Sequence, residues 1–368
     1  RSKTNFLLGR VGDYRRYTYF RYCSGFDEYG GFATVGGFRA VCWTDFVQGM
    51  LMLAALMILP IIAAMMVGSG NYAETFVPWA TESEHYFNFL SSGKLDWASI
   101  SDILTGLAWG LGYFGMPHIL VRYMSIRNKK EMRRSQVIGS VWTFIILTMA
   151  TVLALVAHAF LGSANEGTQT LIFVSVARQI FSWGALAIIG GILISAIVAA
   201  SMSTADSQLL AASAAFASDL YKTSIRKNAS DKEMMRVSRI VVVSVAIIAL
   251  LIALFGNDDI MGLVSAAWSI FGAAFGPSIL LSLYWKRFNY KGCVAGVITG
   301  FVVSILWMTL FNFEYYGFTS LVYNTNLFEL LPGFLISLLM AVLISLFTEE
   351  PEEAVTKLFD EVVFSDEV

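Results

Sequence analysis

The chain alternates between long apolar segments and short polar ones. A helix needs about 20 mostly apolar residues to cross the hydrocarbon core of a bilayer. Eight segments approach or exceed that length, and together they predict an all-α polytopic membrane protein with about eight transmembrane helices. Their bounds are Phe46–Gly68, Ile100–Val121, Val137–Leu161, Trp183–Ala217, Ile240–Phe255, Gly262–Trp285, Val294–Phe313 and Phe328–Phe347.

Charged residues are sorted regularly between the connecting segments. Basic residues concentrate in Arg122–Arg134, Tyr221–Arg239 and Lys286–Lys291, whereas the alternate connections carry acidic residues such as Glu74 and Glu166. Because lysine and arginine are enriched on the cytoplasmic side of membrane proteins, this alternation predicts a multi-pass protein of the cell (plasma or inner) membrane. It also predicts that both ends of this chain lie in the cytoplasm.

The composition fits this class of protein. Hydrophobic residues make up 57% of the 368 residues and charged residues only 14%, whereas soluble domains are roughly a quarter charged. We expect a polar lead-in at residues 1–38, a transmembrane domain at residues 39–348, and an acidic cytoplasmic tail at residues 349–368 whose charges indicate no particular partner. The basic segments are explained by topology, so they predict no nucleic-acid partner.

One apolar segment contains an unusual run of polar residues, SAIVAASMSTADSQLLAASAAF. In a helix, Ala200, Ser203, Thr204 and Ser207 share one face. Small residues on such a face allow neighbouring helices to approach closely, which is the structural interpretation. The functional interpretation is a site for a small alkali cation, since the hydroxyls and an Ala200 carbonyl freed one turn earlier would supply hard oxygen ligands.

Two aspartates are candidate residues of an ion path. Asp206 lies within the same run, and an ionisable residue inside the bilayer marks an ion or solute path by default, although Asp206 could instead lie near the cytoplasmic mouth. Asp45 lies at the start of the first span in CWTDFVQG. It is either a carboxylate favoured by the positive end of the helix dipole or a group involved in ion release.

A second unusual segment, GLAWGLGYFGMPHI, contains four glycines and Pro117. Proline removes a backbone donor and clashes one turn back, so this span should be interrupted. Trp109, Tyr113 and Pro117 are spaced four apart, which predicts either ordinary packing or one wall of a pocket for a small solute. The segment Ala266–Pro277, AAWSIFGAAFGP, repeats the glycine and proline pattern and predicts a hinge, a gate or a close helix crossing.

Four ordered blocks resemble the sodium:solute symporter family, and most of all its proline-transporting members. They are GGFRAVCWTDFVQ, WGLGYFGMPHILVRYM, SAIVAASMSTADSQLLAASAAFASDLYK and GLVSAAWSIFGAAFGP. The resemblance implies a fold of two inverted five-helix repeats, present here in part, and import of L-proline coupled to sodium with no other cofactor. The partners so implied are the sodium ion, a small solute and the lipid bilayer.

The resemblance also implies roles for single residues. Ala200, Ser203 and Thr204 would bind sodium, and Asp45 would handle sodium on the cytoplasmic side. The three residues that would line the proline pocket are Trp109, Tyr113 and Pro117.

The chain departs from the family pattern before the first span. Only the last helix of the first repeat, Phe46–Gly68, is recognisable. We therefore expect the C-terminal portion of a symporter that does not transport by itself. The alternatives are a sodium symporter for another small organic solute, such as pantothenate or a sugar, and a membrane scaffold or sensor without transport. An enzyme is disfavoured because the sequence offers no nucleophile with a matching base.

Overall fold

The described part of the chain is mostly helical. The computed structural model describes residues 37–82, 88, 90–126, 128–161, 171–255 and 260–364. The predicted lead-in at residues 1–38 lies outside these ranges except for its last two positions. The helices are α1 (Gly37–Glu82), α2 (Trp97–Gly112), α3 (Pro117–Met124), α4 (Lys129–Leu161), α5 (Ile172–Ile180), α6 (Leu186–Ala214), α7 (Asp231–Phe255), α8 (Ile260–Tyr284), α9 (Tyr290–Phe311), α10 (Leu330–Phe347) and α11 (Glu353–Phe364).

Seven segments within the described ranges are long and apolar enough to cross a membrane. Each overlaps a span that the sequence predicts. The fourth predicted span runs beyond its expected end, because α6 continues as a π-helical segment from Ala215 to Ile225. The candidate spans are Val41–Val67, Lys130–Leu161, Leu186–Ile225, Asp231–Phe255, Met261–Tyr284, Tyr290–Phe311 and Leu330–Phe347.

The remaining predicted span, Ile100–Val121, which is the second along the chain, is not one helix. It divides into α2, with 16 residues, and α3, with 8 residues, and both are shorter than the roughly 20 residues that a straight crossing requires. Within the described ranges, the expected set of about eight transmembrane helices is thus found as seven unbroken candidate spans and one broken pair. Pro117 explains the break, because it cannot donate to the helical ladder and its ring would clash with the carbonyl of Tyr113.

The chain divides into two compact units. Among the described residues, the α1/α6 unit contains α1, α4, α5, α6 and α7 up to Ile248. Its core includes Ala55, Leu59 and Ala63, which lie four residues apart on α1 and are almost completely buried. That stripe packs with apolar side chains of α4, α5 and α6, including Leu153 of α4.

The α2/α8 unit contains α2, α3, α8, α9, α10, α11 and the end of α7. Its helices approach closely because small residues line their contacts. On α9, Gly292, Gly296 and Gly300 lie four residues apart and are buried. A Cβ added to Gly300 would lie 2.2 Å from the backbone oxygen of Ala273 in α8, so glycine is required at this crossing.

A carboxylate is completely buried where the connection from α9 reaches α10. Glu329 has no exposed surface. It accepts a hydrogen bond of 2.9 Å from Asn312 Nδ2 and another from the Tyr316 hydroxyl. Burying a carboxylate is costly unless donors surround it, so these two contacts fix how the connection folds back onto α10.

The described part of the acidic tail contacts the basic segment Lys286–Lys291. Lys286 Nζ lies 2.6 Å from Asp360 Oδ2 in α11. Asn289 accepts the Gly292 N–H at the start of α9 and donates to the Glu349 carbonyl, 2.7 Å away, just beyond the end of α10. One charge of the tail, that of Asp360, is thus paired within the chain.

We expect Gly300→Ala to lower the stability of the protein, because its new Cβ would collide with the α8 backbone. Overpacking of this kind costs about 1–3 kcal/mol. Gly139→Ala on α4 is a matched control, since a Cβ there meets no atom of the described structure within 4 Å. Apparent melting temperatures of the detergent-purified gene product would show a decrease for Gly300→Ala and no decrease for the control. Equal melting temperatures for the two variants would contradict the proposed close crossing.

Candidate functional site

The hydroxyls predicted to bind a cation meet on one carbonyl of α6. Ser203 Oγ donates to the Ala200 carbonyl oxygen at 2.9 Å, and Thr204 Oγ1 donates to the same oxygen at 3.3 Å. A hydroxyl that donates its single proton keeps its oxygen lone pairs available. Three oxygens suited to a hard cation therefore lie within one helical turn.

The Ala200 carbonyl is not released by a break in the helix. The sequence led us to expect a carbonyl freed one turn before the hydroxyls, but α6 is continuous from Leu186 to Ala214. No proline lies in this stretch to interrupt the helical ladder. The carbonyl instead accepts hydroxyl donors within an intact helix, a common arrangement for serine and threonine in membrane helices.

Asp45 of α1 lies beside this face of α6. Its Oδ2 atom is 3.5 Å from Ser207 Oγ, a hydroxyl whose single proton is shared between Asp45 and the Ser203 carbonyl 2.9 Å away. Ser207 is buried, with 6% of its surface exposed. The structure therefore joins the carboxylate to the hydroxyl face through Ser207, a connection that the sequence did not predict because 162 residues separate the two side chains.

Asp206 occupies a different position on α6. It is partly buried, and its carboxylate forms no hydrogen bond or ion pair within the described ranges. In a helix it lies one turn from Ser203 but to the side of the face that carries Thr204 and Ser207. The structure thus brings Asp45, and not Asp206, into contact with the predicted hydroxyl face.

The three residues of the predicted solute pocket lie around the break between α2 and α3. Trp109 is in the last turn of α2, Tyr113 is its C-cap, and Pro117 is the first residue of α3. The single helical stripe expected from their spacing therefore ends at Tyr113. Proline is well suited to the first helical position, where its missing N–H leaves no hydrogen bond unmade.

The N-terminus of α2, the first helix of the broken pair, is capped by an aspartate side chain. Asp96 caps α2 by accepting the Ser99 N–H at 3.0 Å. That backbone hydrogen bond is the main reason why the pKa of the Asp96 carboxyl is lowered from its ordinary value. A charged cap at the positive end of α2 stabilises the helix that carries Trp109.

Two further aromatic residues complete the surroundings of Trp109 and Tyr113. The Trp109 ring stacks on Phe328 with 5.1 Å between ring centroids. Tyr113 packs edge-on against Trp268 of α8, with 4.9 Å between centroids. Tyr113 is 54% exposed, so part of its side chain is not covered by the described residues.

The sequence signals for these two residues differ. Trp268 lies within AAWSIFGAAFGP, for which we predicted a hinge, a gate or a close crossing, and the structure shows a close crossing with α2. A Cβ built on Gly272 of α8 would lie 2.8 Å from the Gly112 Cα. Phe328 was predicted only as the start of the last span and not as a site residue, and it lies in the irregular connection before α10.

The two groups of predicted site residues belong to separate compact units. The oxygen cluster of Asp45, Ala200, Ser203 and Thr204 lies in the α1/α6 unit, and the aromatic cluster around Trp109 lies in the α2/α8 unit. The first group thus consists of oxygen atoms and the second of aromatic side chains.

Several characterised proteins are similar to this chain. It is 39% identical to the osmoregulated proline transporter OpuE of Bacillus subtilis strain 168 over 328 residues, which cover 88% of the chain and 62% of OpuE. It is 40% identical to the high-affinity proline transporter PutP of the same organism, covering 89% of the chain and 65% of PutP. The sodium/proline symporter of Escherichia coli K12 is 36% identical, and the match covers 89% of the chain and 62% of that symporter. The chain therefore spans less than two thirds of the length of these relatives.

A solved structure has the same fold. It is described as the substrate-bound outward-open state of a Na⁺-coupled sialic acid symporter with a novel Na⁺ site. The match has a TM-score of 0.65 at 20% identity and covers 87% of this chain and 65% of the other. At family level, the sequence profile of the sodium:solute symporter family matches residues 31–300. Because this match covers more than half of the residues of this chain, the chain belongs to the sodium:solute symporter family.

Proposed function

We propose that this chain forms part of a secondary transporter that uses sodium to import L-proline across the cell membrane. The observation that carries the proposal is the convergence of the Ser203 and Thr204 hydroxyls on the Ala200 carbonyl, on a helix face that Asp45 approaches at Ser207. Relatives with 36–40% identity are named as proline transporters or sodium/proline symporters, which supports proline as the solute.

The oxygen cluster has the right chemistry for sodium. The ion loses much of its water in a membrane protein, and this loss is costly unless protein oxygens replace the water. Ala200, Ser203 and Thr204 would provide three neutral oxygens, and the carboxylate of Asp45 would lower the electrostatic cost of a cation nearby. Neutral ligands at the site and one nearby charge would let the ion bind and leave again.

The aromatic cluster has the right chemistry for proline. The pyrrolidine ring is apolar and fits against the faces of Trp109 and Tyr113, while the charged ends of the amino acid need polar partners. A break in a membrane helix exposes backbone groups that can supply such partners. Pro117 would then shape the pocket by starting α3 immediately after the break.

The sodium gradient supplies the energy for uptake. Moving one charge across the membrane yields about 2.3 kcal/mol per 100 mV, in addition to the concentration term. Binding of sodium in one unit and solute in the other would allow both to be carried in a single alternating-access cycle.

We also propose the orientation of the chain. The basic segments Arg122–Arg134, Tyr221–Arg239 and Lys286–Lys291 would face the cytoplasm, following the positive-inside rule. The contact of α11 with Lys286 supports the same side for that part of the acidic tail as for the last of these segments. Both ends of the chain would then be cytoplasmic.

The double variant Ser203→Ala and Thr204→Ala should raise the sodium concentration for half-maximal proline uptake by tenfold or more. Contacts with a charged group are worth about 1.5–3 kcal/mol each, and this variant removes two oxygen ligands. Uptake of labelled proline by cells making the full-length gene product would be measured over a range of sodium concentrations. Ser201→Ala is the matched control, because its exposed hydroxyl donates to the Ile197 carbonyl on another face of α6. Unchanged sodium dependence in the double variant would refute the proposed site.

Asp45→Asn should weaken sodium activation more than Asp45→Glu, because only the asparagine variant loses the negative charge beside Ser207. For Asp45→Asn we expect a several-fold increase in the sodium concentration that gives half-maximal proline uptake. Asp102→Asn is the control for a change of charge. Asp102 is an exposed residue of α2 that accepts a hydrogen bond from the Ser91 hydroxyl. Similar behaviour of Asp45→Asn and Asp102→Asn would argue against a role for Asp45 in the ion path.

Unlabelled proline in excess should abolish sodium-driven uptake of labelled proline, whereas pantothenate and hexoses should not compete. The apolar surface of Trp109 and Tyr113 suits a small ring better than a chain of hydroxyls. Competition assays with the full-length gene product would compare these solutes at the same concentration. Sodium-driven uptake of pantothenate or a sugar in place of proline would support the alternative solute. A lack of sodium-driven uptake for all of them would support a scaffold or sensor.

A further inference from the structure

Helix α8 crosses the broken pair at the point where the break begins. Trp268 of α8 makes three contacts there. Its indole Nε1 donates to the Trp109 carbonyl at 3.0 Å, its ring packs edge-on against Tyr113, and its ring lies 6.1 Å from that of Trp109. One side chain therefore touches both aromatic residues of the proposed solute pocket.

The hydrogen bond from Trp268 gives the Trp109 carbonyl a donor that the break removes. In a continuous helix the Tyr113 N–H would donate to the Trp109 carbonyl, but here it is directed to the Leu111 carbonyl. A carbonyl left over at a helix end needs another donor, and none is available from lipid. The indole of Trp268 supplies that donor from a different helix.

The crossing also leaves no space for a side chain at position 112, which is occupied by glycine. A Cβ built there would lie 1.9 Å from Trp268 Nε1 and 2.4 Å from its Cδ1. A Cβ on Gly115 would lie 2.2 Å from the Phe271 carbonyl oxygen of α8. Two of the four glycines in the interrupted span, Gly112 and Gly115, are therefore also places where α8 lies against the break.

We propose that Trp268 is a positioning residue for solute binding. It holds the end of α2 through the Trp109 carbonyl and fixes the orientation of the Tyr113 ring, so that both pocket aromatics are arranged before the solute arrives. This inference rests on the proposed function for the identity of the solute, but the contacts between Trp268 and the break do not depend on it. Pre-arranged groups bind more tightly because less ordering remains to be done on binding.

The first test replaces Trp268 by phenylalanine, which keeps an aromatic ring and removes the N–H donor. The proline concentration for half-maximal uptake by the full-length gene product should rise about 5- to 20-fold, the range expected when a partly buried carbonyl loses its donor. The sodium concentration for half-maximal uptake and the amount of protein in the membrane should stay the same. Trp307→Phe is the matched control, because that indole also donates to a backbone carbonyl, Leu327 at 3.2 Å, but not at the break. We expect wild-type affinity from it.

A second test uses the lack of space at Gly112. Gly112→Ala alone should lower uptake at least tenfold, because the new methyl group collides with the indole. Combining it with Trp268→Ala should restore uptake to the level of Trp268→Ala alone, since contacting residues show non-additive effects. Additive losses in the double variant would overturn the proposed contact.

A third measurement does not depend on the solute. Hydrogen exchange of the backbone amides in residues 110–118 should be faster in Trp268→Phe than in the wild type and unchanged in Trp307→Phe. If the wild-type protein failed to take up proline while this difference was present, the proposed solute would be wrong and the positioning role would stand. If proline uptake was normal and Trp268→Phe changed neither apparent affinity nor exchange, the positioning role would be wrong.

Discussion

Inside a bilayer, every backbone carbonyl and N–H group must find its partner within the protein, because lipid offers none. Most of the described chain meets the requirement with unbroken helices such as α7 and α9. The break between α2 and α3 is one place where the helix alone cannot do so. The hydrogen bond from Trp268 to the Trp109 carbonyl shows how a second helix replaces the missing donor, and this makes an irregular backbone possible at a proposed binding site.

Close contact between helices is the second requirement that shapes the α2/α8 unit. Water is not expelled when membrane helices meet, so their association depends on packing and on hydrogen bonds between them. Gly300 lets α9 approach the backbone of α8, and the buried Ser337 hydroxyl of α10 donates to the Gly296 carbonyl at 2.8 Å. The same glycine-dependent approach brings α8 to the break at Gly112. Packing and site formation therefore use the same kind of residue.

Polar groups in the two units serve different purposes. Glu329 is completely buried, and its donors Asn312 and Tyr316 place it in a structural network near the start of α10. Asp45 and the hydroxyls of α6 instead form a cluster in which oxygens outnumber protons that can be donated. Such a cluster favours a cation, which explains why it and not Glu329 is the better candidate for the coupling site.

The sequence by itself determined the helical class, the approximate position of the spans and the interruption before Pro117. It also determined that Ala200, Ser203 and Thr204 share a face, because helical periodicity is a local property. Only the tertiary structure decided that Asp45 meets Ser207, that Trp268 binds the Trp109 carbonyl and that Phe328 stacks on Trp109. These partners are far apart in the chain, by 162 residues in the first case and 159 in the second. Apolar length and residue spacing act on each helix separately, whereas the choice of which faces meet depends on how all the helices of a unit pack together.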